Sequence, residues 1–279
     1  DHALDMTVDR SPLRGTDRLA RAFARAREER RCAIVIYLTV GFPDRAASHR
    51  LLRAALDGGA DVIELGVPFS DPMADGTTIQ RASETALREG ITLDDCLREA
   101  AECVAERDAT VLLMGYTNPF LRHGFERLAE RCARDGIAGL IVPDLPAEES
   151  AEVDAVCVPR GVARIDLYAP TTPDERLARL LPRSRGFAYC VSLTGVTGAR
   201  SALADDLAPF LARVRARTTL PIAVGFGIGA PEHVRALRGL ADGVVVGSAA
   251  IDVVQRAAPS EREGALRDFV GSLREAGRS

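Results

Sequence analysis

The sequence has 279 residues, is 47% hydrophobic and carries a formal net charge of −4. That suits one α/β barrel or two small domains and excludes the concentrated basic field that nucleic-acid binding requires. No run approaches the roughly 18 consecutive apolar residues that span a bilayer, so neither a nucleic acid nor a membrane is an expected partner.

In chain order, the polar residues 1–16 are expected to form a disordered N-terminal extension ahead of a single domain, 17–279. Helical spacing over 17–30 predicts an extra helix, placed to cap one end of that domain. Eight apolar runs come next, at 33–39, 61–65, 110–114, 137–142, 163–168, 186–191, 220–224 and 242–246. Each is short and rich in Val, Ile or Leu, the pattern of a parallel strand covered on both faces. Between them lie stretches with helical spacing, such as Leu93, Leu97, Ala100, Ala101 and Val104, or Leu207, Phe210, Leu211 and Val214. Residues 260–275 read as the final helix. Eight strand–helix repeats predict one closed (β/α)8 TIM barrel with an extra N-terminal helix, a doubly wound sheet being the alternative.

All 36 basic residues are arginine. A chain without lysine forms no Schiff base and anchors no pyridoxal phosphate, and it carries no Walker lysine. The six cysteines fall within apolar or helical patterns with no C-x-x-C pair, which reads as buried reduced thiols in a cytoplasmic protein. The four histidines, His2, His49, His123 and His233, are far apart in sequence and none stands at a strand end, so no metal site is expected.

In such a barrel the loops after the strands form the active-site face. Glu64 ends the second strand between Ile63 and Leu65, and strand alternation puts it on one face with Val62. If that face is the barrel interior, desolvation favours the protonated carboxyl and suits it to acid/base work; a carboxylate paired with an arginine is the competing reading. Asp75 stands in a polar loop holding Pro68, Ser70, Asp71, Pro72 and Gly76. Two carboxylates in different environments can divide acid and base roles, although Asp75 also suits a helix N-cap. Glycine loops come after the last three strands, at 194–198, 225–229 and 247–248, where backbone N–H groups and a helix N-terminus can hold a phosphate. The residues alone therefore point to carboxylate-driven acid/base chemistry on a small phosphorylated molecule.

Several segments together resemble the tryptophan synthase α-subunit family. They are I-Y-L-T-V-G-F-P-D (36–44), D-V-I-E-L-G-V-P-F-S-D-P-M-A-D-G (61–76), T-I-Q-R-A-S (78–83), G-L-I-V-P-D-L-P-A-E-E-S (139–150), A-P-T-T-P-D-E-R-L (169–177), Y-C-V-S-L-T-G-V-T-G-A-R (189–200), V-G-F-G-I (224–228) and V-V-V-G-S-A (244–249). The resemblance implies a lyase of tryptophan biosynthesis that splits indole-3-glycerol phosphate into indole and glyceraldehyde 3-phosphate. It implies catalytic Glu64 and Asp75, with Tyr189 supporting Asp75. It implies a phosphate cradle of Gly198, Gly227, Gly247 and Ser248 beside Phe226, an indole pocket at Tyr37, Leu112 and Ile141, and loop closure at Thr197. The implied partner is a tryptophan synthase β subunit in an α2β2 heterotetramer; the pyridoxal phosphate belongs to that partner, and this chain needs no cofactor. Thr77, His123 and Leu193 depart from the commoner family pattern, two of them in or beside the loops that close. The alternatives are a stand-alone lyase releasing free indole and a non-catalytic phosphate-binding barrel that activates a β-type partner.

Overall fold

The computed structural model describes residues 14–192 and 200–278. The expected extension 1–16 lies mostly outside them; the first helix, α1 (Gly15–Glu28), begins two residues ahead of the expected domain start. It ends where Arg30 takes a left-handed φ of +53°. Its Leu19, Phe23 and Ala26 join the cluster inside the barrel, and Phe23 meets Phe187 with ring centroids 5.3 Å apart. The helix therefore plugs the barrel at its N-terminal end. No helix of the described residues is long and apolar enough to cross a membrane.

The described strands are β1 (Ala33–Thr39), β2 (Val62–Gly66), β3 (Val111–Met114), β4 (Gly139–Ile141), β5 (Ala163–Ile165), β6 (Leu167–Tyr168), β7 (Ala188–Val191), β8 (Ile222–Gly225) and β9 (Gly243–Val246). All pair in parallel in the order β5-β4-β3-β2-β1-β9-β8-β7-β6, and the two ends, β5 and β6, are consecutive in the chain. Sequence reading expects one strand over 163–168; the structure divides it at Asp166, so the barrel of eight runs has nine strands. Residues before the break pair with β4 and residues after it with β7. Asp166 explains the break. Its carboxylate takes bonds from Arg164 and from Ser184 Oγ (2.8 Å), while its carbonyl accepts from Tyr189 N–H at 3.1 Å.

Strand alternation sorts side chains into two layers. Ile34, Ile36 and Leu38 pack outward under the helices, whereas Ala33, Val35 and Tyr37 face the barrel interior. The outer helices are α2 (Arg45–Asp57), α3 (Thr77–Arg88), α4 (Leu93–Arg107), α5 (Thr117–His123), α6 (Phe125–Asp135), α7 (Ala151–Cys157), α8 (Asp174–Leu180), α9 (Arg200–Arg215), α10 (Pro231–Leu237) and α11 (Ser248–Arg256). Two of these starts are written locally: Asp44 accepts from Ala47 N–H at 2.8 Å before α2, and Thr92 with Asp95 forms a capping box at α4. The final helix is α12 (Arg262–Ala276). All six cysteines are buried and free.

At the N-terminal end of β2, Asp61 holds Arg31 through two bonds of 2.6 and 2.8 Å and also accepts from Ile34 N–H at 2.8 Å. Both side chains are fully buried. Without Asp61 the buried guanidinium keeps only Glu29, bonded to its Nε at 2.7 Å, so Asp61→Ala is expected to cost up to about 3–5 kcal/mol. Urea unfolding checks this; a midpoint unchanged from wild type would show that the pair does not hold the barrel floor.

Candidate active site

Glu64 is the third residue of β2, in register with Tyr37 of β1 and Leu112 of β3. Its side chain points into the barrel and is 1% exposed. Its Oε2 has no hydrogen-bond partner among the described residues, which disposes of the arginine pairing. Burial, assisted by the charge of Asp75, pushes its pKa up to about 8. A carboxyl left neutral and unpartnered in an apolar wall is a proton donor awaiting an acceptor.

Asp75 lies between β2 and α3 in a loop pinned from two sides. Tyr116 stacks on Phe69 with centroids 5.2 Å apart, and its hydroxyl accepts from Ala74 N–H at 3.0 Å. Gln80 of α3 donates to the Asp75 carbonyl at 2.9 Å. Asp75 is not the helix cap; Gly76 takes that place, with no side-chain cap bond. Burial raises its pKa to about 6, opposed by a hydrogen bond from Tyr116. Near neutral pH, Glu64 is therefore protonated and Asp75 ionised. Tyr116→Phe removes the lowering contribution, so the pKa of Asp75 should rise further. The acid limb of any activity that depends on Asp75 should move to higher pH, and a pH–rate profile with an unmoved limb would refute that role for Tyr116.

Tyr189 is buried and lies within electrostatic reach of Glu64, Asp75 and Tyr37, and the hydroxyl that holds the Asp75 pKa down is that of Tyr116. Sequence reading missed Tyr116 because its hydroxyl meets Ala74 from a loop 42 residues away in the chain. Both interior tyrosines sit over glycines that end strands. A Cβ on Gly66 would lie 2.1 Å from the Tyr37 hydroxyl, and one on Gly225 would lie 2.6 Å from that of Tyr189. Only glycine leaves room for these rings to pack flat against the neighbouring strand.

Tyr37, Glu64, Asp75, Tyr189, Phe226, Gly227, Gly247 and Ser248 line one cavity of about 310 Å³. Phe226 and Gly227, after β8, take left-handed φ values of +67° and +77°, which turns the backbone toward the cavity. Gly247 precedes α11 as its N-cap, so the first amides of that helix face the same space with the positive end of its dipole. Gly198 and Thr197, expected in the cradle and the closing loop, lie outside the described residues, as does Leu193. Leu112 and Ile141, expected in the indole pocket, are fully buried in the barrel interior and are not among the residues that line the cavity. Met114, Ile79, Ile228 and Val245 line it instead. Leu112 is two residues deeper along β3 than Met114, and strand alternation gives the face but not the depth. Thr77 is the first residue of α3, two before Ile79, and His123 is the last residue of a separate helix, Thr117–His123.

The described residues also bring His49, Glu99 and Glu102 within 4.8 Å of one another, a grouping the sequence spacing hides. It sits on α2 and α4 and shares no residue with the cavity. Arg53 Nη1 lies 2.9 Å from Glu99, so a guanidinium already balances these acids.

The family model for the tryptophan synthase alpha chain matches residues 23–276. A tryptophan synthase alpha chain from Roseiflexus castenholzii is 50% identical over 259 residues, covering 92% of this chain and 99% of the relative. One from Geobacter sulfurreducens is 42% identical, covering 93% of this chain and 98% of the relative. Among solved structures, a chain of Mycobacterium tuberculosis tryptophan synthase superposes with a TM-score of 0.85 at 38% identity, over 94% of this chain and 98% of that one. The tryptophan synthase alpha chain of Legionella pneumophila gives 0.84 at 33%, over 93% and 96%.

Proposed function

This chain belongs to the tryptophan synthase α-chain family, a lyase family that cleaves indole-3-glycerol phosphate to indole and glyceraldehyde 3-phosphate, and from that premise we propose that Glu64 and Asp75 carry the cleavage here. The observation that supports the assignment most is the pairing of a neutral, unpartnered Glu64 with an ionised Asp75 in one apolar cavity.

Glu64 protonates C3 of the indole ring, which becomes an electron sink. Asp75 accepts a hydrogen bond from the ring N–H, where positive charge develops, and stabilises it. The Glu64 carboxylate then takes the proton of the side-chain hydroxyl. As the C–O bond becomes a carbonyl, the carbon–carbon bond breaks and its electron pair restores the aromatic ring. Glu64 ends as it began, protonated. Each positioned proton transfer contributes about 10²–10⁴-fold. Tyr37 and Tyr189 wall the ring site, and Gly227, Gly247 and Ser248 with the backbone at Phe226 seat the phosphate. Gly198 and Thr197 complete the cradle and the closing loop in this reading.

The partner in this proposal is a tryptophan synthase β subunit, in an α2β2 heterotetramer in the cytoplasm. The pyridoxal phosphate sits in that β subunit, consistent with a chain that has no lysine. The test is indole release from indole-3-glycerol phosphate with and without a β subunit. Slow release that rises strongly with β supports the proposal. Fast release indifferent to β identifies a stand-alone lyase, and no release under either condition leaves a phosphate-binding barrel without this chemistry.

A further inference from the structure

The cavity contains a third carboxylate that this chemistry does not use. Asp252 lines it from α11, one turn beyond Ser248 and on the same face, because residues four apart on a helix are neighbours. Its Oδ1 accepts from Thr78 Oγ1 at 3.4 Å, near the start of α3, and no cation pairs with it among the described residues. Ile79 of α3 approaches the same place: a Cβ on Gly247 would lie 3.5 Å from Ile79 Cδ1. The described lining holds three carboxyl groups, those of Glu64, Asp75 and Asp252, and no arginine. A phosphate seated there relies on backbone N–H groups and the end of one helix dipole, with an acid facing it.

We propose that Asp252 sets the affinity of the phosphate subsite, its negative charge weakening the grip on a phosphate ester so that a three-carbon phosphate product leaves. The inference rests on the assignment of the cradle made above. Like charges several ångströms apart at a partly buried site repel appreciably. Among the described residues the opposing favourable contacts are dipoles, which hold an anion without neutralising it. Thr78 Oγ1 donates to the carboxylate from α3 at 3.4 Å without altering its charge.

The test uses the full chain, calorimetric titration and two probes: sn-glycerol 3-phosphate, a charged three-carbon phosphate, and indole, which is neutral. Asp252→Asn keeps the size and an acceptor for Thr78 while removing the charge. It should bind glycerol 3-phosphate roughly fivefold more tightly, leave indole affinity unchanged, and lose most of its advantage in high salt. In the cleavage reaction its KM should fall without a matching rise in kcat. Thr78→Val keeps the charge and should show no such tightening. Equal shifts for both probes, equal shifts in both variants, or an unchanged affinity in Asp252→Asn would overturn the inference. Failure of the wild-type chain to bind glycerol 3-phosphate at all would overturn the cradle assignment and this inference with it.

Discussion

Glu64→Gln should lower the rate of carbon–carbon cleavage by about 10²–10⁴-fold, the contribution of one positioned proton transfer, and by more where protonation of the ring and deprotonation of the hydroxyl both run through this carboxyl. Gln matches Glu in size but has no proton to give. Substrate affinity should change little, so the loss should appear in kcat. The same substitution should stabilise the fold in alkali. Glu64 has a folded-state pKa raised to about 8, so its contribution is fully present below its unfolded value and is lost as pH rises through about 8. Above that pH the buried carboxylate is charged and unpartnered. Gln escapes the penalty, which is of the order of 3–5 kcal/mol for a shift of this size. Thermal unfolding of both proteins across pH 5–9 reads the difference. Retained cleavage in Glu64→Gln would end the proposal that this residue moves the proton. Equal stability at high pH would end the argument that burial raised its pKa.

Asp75→Asn should reduce cleavage by about 10²–10³-fold, the typical loss on removing one electrostatic contact made to developing charge. Asn retains the shape and can still accept from the ring N–H, so what disappears is the negative charge facing an incipient cation. The pH profile of kcat/KM separates this from a general loss of structure. The wild-type profile should rise through about pH 6 as Asp75 ionises and fall through about 8 as Glu64 loses its proton, the two steps belonging to the pair. Asp75→Asn should lose the rise and keep the fall. A variant that kept both limbs at a lower plateau would show that Asp75 shapes the loop without taking part in charge stabilisation.

Much of the architecture is legible in local pattern. Continuous apolar runs such as 33–39 coincide with β1 (Ala33–Thr39) because a strand buried on both faces must be apolar throughout. Helix starts at Asp44 and Thr92 are marked by side chains that bind their own backbone. Glu64 stands out for the same reason: a lone acid in an apolar strand has few solvated options, and alternation with Val62 gives its face. The glycines after β8 and the single Gly247 after β9 mark where the backbone must turn.

Other features depend on groups distant in sequence. The break of the fifth run at Asp166 comes from pairing two different neighbours and from Arg164 and Ser184 meeting its carboxylate; nothing in 163–168 announces it. Tyr116 reaches Ala74 and Asp75 only once β2 and β3 are adjacent. Leu112 and Met114 share a face of β3, yet depth along the barrel leaves one in the core and the other at the cavity. Asp252 reads as an ordinary helix acid until α11 packs on α3. Periodicity, turn chemistry and the candidate buried acid can be read along the chain, because each is a local consequence of burial or backbone geometry. The surroundings of that acid are set by packing alone, because desolvation, charge and hydrogen bonding act through space between segments that the chain keeps apart.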